Sequence, residues 1–294
     1  MVCAFNAPET RIAEMTKLSV MLMCCNGGLS ARAISPARVI GDLGAAGVTG
    51  LELVPQWCEQ EPALWDELRR LAEDAGMTWS CSDVVVNFIG DGSAAAHRDA
   101  VDKVLRGVEF CQQIGCPLAL LPGTRPAPGM SNEEGRRLYG ERLAEVAERT
   151  AGSGVTLMIE DFGVHPLFTA SAAHCQEVLE IAGDDVKFNF DNGNFLLGGD
   201  LPVECYQQFR DRTVHVHIKD FRVRVPNDKP SLVSPTGVGY EGCDIGSGDA
   251  QVAGCLRLLK HDGYDGWLSI EAGGYDNVDA AVQGAQAIRA TWEE

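Results

Sequence analysis

Short runs of apolar and β-branched residues alternate along the chain with longer stretches whose apolar positions recur every three to four residues. The clearest run is Thr213-Val214-His215-Val216-His217-Ile218-Lys219-Asp220. Val214, Val216 and Ile218 fall on one face, His215, His217 and Lys219 on the other. Period two with β-branched residues predicts a strand. Its apolar face must be covered, while its His and Lys face looks into a polar cavity. The same reading places strands at 18–23, 50–54, 78–86, 117–121, 155–160, 186–191 and 266–271. Helices are predicted over 36–46, 61–75, 97–114, 132–151, 170–182, 202–210, 251–259 and 277–292, with Gly76 and Gly115 as stops. Asn26-Gly27-Gly28 reads as a turn, and 124–131, with Pro126, Pro128 and Gly129, as a loop.

No two strands follow one another directly, which implies a parallel sheet. Eight strand–helix units in about 280 residues match a single (β/α)8 TIM barrel. An open doubly wound sheet is the alternative, but the chain lacks the Gly-rich phosphate turn often found there. Residues 1–16 are expected to form an N-terminal arm and 17–294 the barrel, a catalytic domain. The Gly- and Pro-rich stretch 221–248 is expected to be a long loop that folds over a substrate or a partner subunit.

In such barrels the reacting groups sit at the C-terminal strand ends. Parity turns Val155, Leu157 and Ile159 toward the helices and Glu160 toward the axis. It turns Phe188 and Phe190 out and Asp191 in, Leu268 and Ile270 out and Glu271 in. Four successive strands thus end in an inward Glu, Asp, His and Glu. Three carboxylates at one mouth repel one another unless a cation compensates. Three carboxylates with one imidazole suit one divalent metal ion: Mn²⁺ first, because the donors are mainly hard oxygen, with Mg²⁺, Co²⁺ or Zn²⁺ as alternatives.

Composition narrows the partners. The formal net charge of −18 argues against nucleic acid, whose phosphates would repel the chain. No apolar run approaches the roughly 18 residues that span a bilayer, and the first residues lack the apolar core of a signal peptide. A cytoplasmic location is therefore expected. Eleven cysteines without C-x-x-C spacing argue against a disulfide framework, and Cys24, Cys25, Cys81 and Cys255, in apolar segments, read as small buried hydrophobes.

Val216-His217-Ile218-Lys219-Asp220 resembles the H-x-K-D motif of xylose isomerase-like TIM barrels, the sugar isomerase and epimerase superfamily. Phe190-Asp191-Asn192-Gly193-Asn194 resembles that family's D-x-G-N, and Ile159-Glu160-Asp161 its I-E-N. Gly246-Ser247-Gly248-Asp249 and the run from Gly263 to Glu271 resemble its closing motifs. The likeness extends from about Lys17 onward. It implies that Glu160, Asp191, His217 and Glu271 bind the divalent ion and that Glu160 and Glu271 form an acid–base pair. Two departures stand out: Asn194 where some members carry His, and Phe162 where many do.

The resemblance implies an isomerase or epimerase of a sugar, keto-sugar or cyclitol, working by proton transfer through a metal-stabilised enediolate. The alternative is a lyase on the same intermediate, an inosose-type dehydratase or a 3-keto-glycoside C-deglycosidase. An apurinic-site endonuclease and a non-catalytic sugar-binding barrel rank lower; the former needs more histidine and a basic face. Substrate-binding candidates are Lys219, Asn194, Glu52, Trp57, His165 and Arg222. Lys219 either donates to a substrate oxygen or pairs with Glu160 or Asp191. Glu52 either bonds a sugar hydroxyl or supports the His217 ring. His215 reads as a buried structural histidine. The expected partner is a small carbohydrate; a homo-oligomer or a small partner subunit is left open.

Overall fold

Alternating strands and helices bury one another's apolar faces, and the chain uses that device throughout. The computed structural model describes residues 16–165, 167–224, 232–273 and 278–294. The expected N-terminal arm, apart from residue 16, lies outside them. The strands are β1 (Lys17–Met21), β2 (Gly50–Leu53), β3 (Thr78–Asp83), β4 (Leu118–Leu120), β5 (Thr156–Glu160), β6 (Lys187–Asp191), β7 (Thr213–Ile218), β8 (Asp220–Val223), β9 (Leu232–Val233), β10 (Gly239–Cys243) and β11 (Trp267–Ile270). The helices are α1 (Met23–Ser30), α2 (Pro36–Ala45), α3 (Pro55–Gln60), α4 (Pro62–Asp74), α5 (Ala94–Ile114), α6 (Asn132–Arg149), α7 (Ala172–Ala182), α8 (Asn192–Gly198), α9 (Pro202–Phe209), α10 (Val252–His261) and α11 (Asp279–Glu293).

Strands β1 to β7 pair in sequence order, and β11 joins β7 to β1, so eight parallel strands close a barrel. Val20, Leu51, Phe188, Phe190, Val216, Ile218, Leu268 and Ile270 belong to the buried core shared with the helices. Ser35, Ser93, Ser131 and Ser171 each accept the N–H three residues on, capping α2, α5, α6 and α7. A separate cluster of Cys81, Leu120 and Met158 is also fully buried. Val214 packs against that cluster, so the alternation expected along β7 slips at its start, beside a register shift at Phe188/Asn189.

Three expectations need correction. Asn26-Gly27-Gly28 is no turn but the middle of α1, where burial of Cys24, Cys25, Gly28 and Leu29 overrides the local preference of Asn and Gly. Two short helices escaped the periodicity, α3, which starts on Pro55, and α8, whose N-cap is Asp191. The stretch 221–248 is not an open loop. It carries an antiparallel three-stranded sheet in the order β8-β10-β9, begun by Asp220 directly after β7.

Asp220 fastens that sheet to the barrel. Its Oδ2 accepts the N–H groups of Gly246 and Gly248 at 2.9 Å each, and its Oδ1 those of Phe221 and Ala250 at 3.0 and 3.1 Å. A buried carboxylate with four backbone donors cannot be deleted without leaving those donors unsatisfied. Asp220→Ala is expected to cost about 3 kcal/mol or more, measured as a lower urea midpoint of unfolding.

Candidate active site at the barrel mouth

Strand termini deliver the ionisable groups. Glu160 and Asp191 are the last residues of β5 and β6, and Asp83 of β3. Lys219 and Glu271 immediately follow β7 and β11, and His217 precedes the end of β7 by one residue. Glu160, Asp191 and His217 each bring a ligand atom within 4.8 Å of the other two. Glu271 does not complete that group of three with the others, yet its Oε2 lies 3.6 Å from His217 Nδ1 and 2.7 Å from Lys219 Nζ.

The two nitrogens of His217 have different surroundings. Nε2 bonds Glu52 Oε1 at 2.9 Å. Nδ1 is buried without a hydrogen-bond partner and faces Glu160 Oε2 at 3.4 Å, Asp191 Oδ2 at 3.8 Å and Glu271 Oε2 at 3.6 Å. An imidazole tied at one nitrogen by a carboxylate and open at the other toward further carboxylates is arranged as a metal-binding histidine is. Burial works against a charged ring, yet Glu52, Asp191 and Glu160 outweigh it and hold the His217 pKa well above its ordinary value. The proton favoured there occupies a position that a divalent cation would compete for. The donor set therefore fits one divalent ion.

Glu52 lies behind this group, fully buried. Its Oε2 also takes His215 Nε2 at 3.1 Å and Ser269 Oγ at 2.5 Å. Burial favours the neutral acid, but His217 and His215 overcome it and hold the carboxyl well below the usual range. Of its two expected roles, the geometry gives the support of the His217 ring. His215 is buried and structural, and burial lowers its pKa.

Asp191 is built in from several directions. Its Oδ1 caps α8 through the N–H groups of Gly193 and Asn194, at 2.9 and 3.0 Å. Its Oδ2 accepts Asn194 Nδ2 at 2.9 Å and lies 2.8 Å from Lys219 Nζ. A side chain at Gly193 would collide with Lys219, so only glycine lets Lys219 pass. Burial would raise the Asp191 pKa, but Lys219 and His217 pull it below the ordinary value. Glu271 is raised, by burial first, against the opposing pull of Lys219.

A cavity of about 480 Å³ opens over these groups. Its lining combines Glu160, Asn194, Lys219, Glu271 and Asp83 with Val54, Gln56, Trp57, Val85, Phe162 and Val164. Two substrate-binding candidates fall elsewhere among the described residues. His165 is absent from the lining and sets its ring edge against Phe162, with centroids 5.5 Å apart. Arg222 is exposed on β8 and pairs with Glu241 at 2.6 Å, because its strand leads away into the three-stranded sheet.

Two residues escaped the sequence reading. Asp83 lines the cavity, and burial and then the charge of Glu52 raise its pKa well above its ordinary value. Alternation within 78–86 already pointed to a strand, but nothing local marked its last acid. Asn192 accepts Lys219 N–H and donates to the carbonyls of Lys219 and Ala250, fixing the turn after β7.

Known proteins share this architecture. A family model described as "Xylose isomerase-like TIM barrel" matches residues 40–291. An inosose dehydratase from Clostridium botulinum is 25% identical over 169 residues, 54% of this chain and 55% of that protein, and the name recurs among other curated relatives. The chain thus spans about half the length of the first of these relatives or less. Among solved structures, the probable 3-DHS dehydratase AsbF of Bacillus anthracis superposes with a TM-score of 0.70 at 17% identity, over 93% of this chain and 98% of that one. The IOLI protein with a binding zinc atom superposes with a TM-score of 0.67 at 16% identity, over 95% of each chain. With the family model covering most of its length, this chain belongs to the xylose isomerase-like TIM barrel family.

Proposed function

We propose that the protein is a divalent-metal-dependent lyase that removes a β-substituent, water in the simplest case, from a keto-cyclitol or keto-sugar. The observation that carries this reading is the unpartnered, buried Nδ1 of His217 facing Glu160, Asp191 and Glu271. The names of the curated relatives and of AsbF favour elimination, so the isomerase or epimerase expectation yields to its lyase alternative.

Glu160, Asp191, His217 and Glu271 would hold the ion. When bound, it supplies a Lewis acid for the oxygen on which negative charge develops as a proton leaves the carbon next to a carbonyl. Mn²⁺ remains the first choice for a set dominated by carboxylate oxygen. The protein's own groups do the rest. Glu160 takes the proton from carbon. The electron pair left behind returns to form a C=C bond as the C–O bond to the β-substituent breaks. Glu271, whose proton affinity burial raises, protonates the departing hydroxyl, which leaves as water. Lys219 steadies Asp191 and Glu271 from between them, Asn194 orients Asp191, and Trp57 stands on the cavity wall against the substrate.

Protein stripped by a chelator is expected to lose turnover of a pentahydroxycyclohexanone and to regain it with Mn²⁺. Mass spectrometry should then find a product lighter by one water; an isomer of unchanged mass would overturn elimination in favour of epimerisation. Glu271→Gln should lower kcat by about 10²–10⁴-fold with an unchanged circular dichroism spectrum, and full activity in that variant would remove Glu271 from the chemistry. Glu52→Gln, which leaves every proposed ligand in place, should weaken Mn²⁺ binding by about 10–100-fold in calorimetric titration.

A further inference from the structure

The cavity lining is chemically mixed. The ends of β5, β7 and β11 give it Glu160, Lys219 and Glu271. Trp57, Val85, Phe162 and Val164, from the segments after β2, β3 and β5, also line it, with Gln56, Gln60 and Asp83 among their neighbours in sequence. Val85 and Val164 are 54% and 58% exposed, although both are β-branched aliphatic residues. Solvent-facing aliphatic side chains are unremarkable when scattered, but these two share the rim of one cavity with two aromatic rings.

This part of the lining is also held in shape. Gln56 Nε2 donates to the carbonyl of Val85 at 3.2 Å. Phe162 rests on Gly123, where a side chain would strike its Cβ, and its N–H donates to the Thr169 carbonyl at 3.0 Å. His165 backs its ring. A bare keto-cyclitol bears an oxygen on every carbon and would leave such a wall in contact with water. The volume of about 480 Å³ falls in the range of pockets that enclose drug-sized ligands, ~300–1,000 Å³.

We propose that the substrate carries an apolar, ring-sized substituent on its keto-polyol ring, and that Trp57, Val85, Phe162 and Val164 form the subsite for it. The inference rests on the lyase reading for the keto-polyol end only. Contact with a group remote from the reacting carbon supplies binding energy that positions the ring over the carboxylates.

The test compares a pentahydroxycyclohexanone with its mono-O-phenyl ether on Mn²⁺-loaded protein, by calorimetric titration and by turnover. The phenyl ether is expected to bind at least tenfold more tightly. Val164→Asp, at an exposed position that the fold tolerates, should cut the ratio of the two affinities at least fivefold, whereas Val164→Leu should preserve it. Equal affinities, no binding of the phenyl ether, or a ratio unmoved by Val164→Asp would overturn the subsite. Tight binding of the phenyl ether without turnover of either compound would sustain the subsite and sink the lyase reading, so the two failures are distinguishable.

Discussion

Glu52 sets the geometry on which the mouth of the barrel depends. Its carboxylate is sealed from water and shared among His217, His215 and Ser269, which lie on β7 and β11. A buried charge is tolerated only when its lone pairs are satisfied, and here three donors from neighbouring strands do so. The bond to Nε2 fixes the orientation of the His217 ring and presents Nδ1 to the carboxylates above. Without that anchor, Glu160, Asp191 and Glu271 would face an imidazole free to turn.

Charge is rationed around this anchor. Asp161 is fully buried next to Glu160, and burial followed by the charges of Asp191 and Glu160 raises its pKa well above the ordinary value. Its Oδ1 accepts the N–H of Asp191 at 3.1 Å. The Asp83 pKa is raised for related reasons, burial first and then the charge of Glu52. Among the clustered acids, burial and the neighbouring carboxylates raise the proton affinity of Asp83 and Asp161, while His217 and Lys219 lie where they can answer Asp191 and Glu271.

Much of this was legible in the sequence because a strand shows alternate residues to opposite faces. That single rule puts Glu160, Asp191, His217 and Glu271 inside the barrel, and in the structure their side chains converge. It says nothing about distance, so the pairing of Glu271 with Lys219 had to be seen. Adjacency across strands was open, not fixed: support of the His217 ring was one of two expected roles for Glu52, and only the fold, which brings β2 and β7 together across the barrel, chooses it. Composition misled where tertiary contact decides. Gly27-Gly28 lies within a helix because α1 is packed against the core, and the Gly- and Pro-rich stretch after Asp220 forms strands because that carboxylate gathers its backbone. His165 and Arg222 looked available to a ligand from their loop positions, but an aromatic neighbour and a sheet partner, respectively, engage them instead.

Lys219 has a consequence for how the barrel closes. Its ammonium touches Asp191 and Glu271 and, although burial opposes its charge, those carboxylates raise its pKa further. The chain thus carries its own counter-ion into the most acidic part of its interior. The barrel can close with part of that acidity already answered by the internal cation. A divalent ion would then add to a charge balance that Lys219 has already begun, and its removal would leave the fold standing on that internal cation.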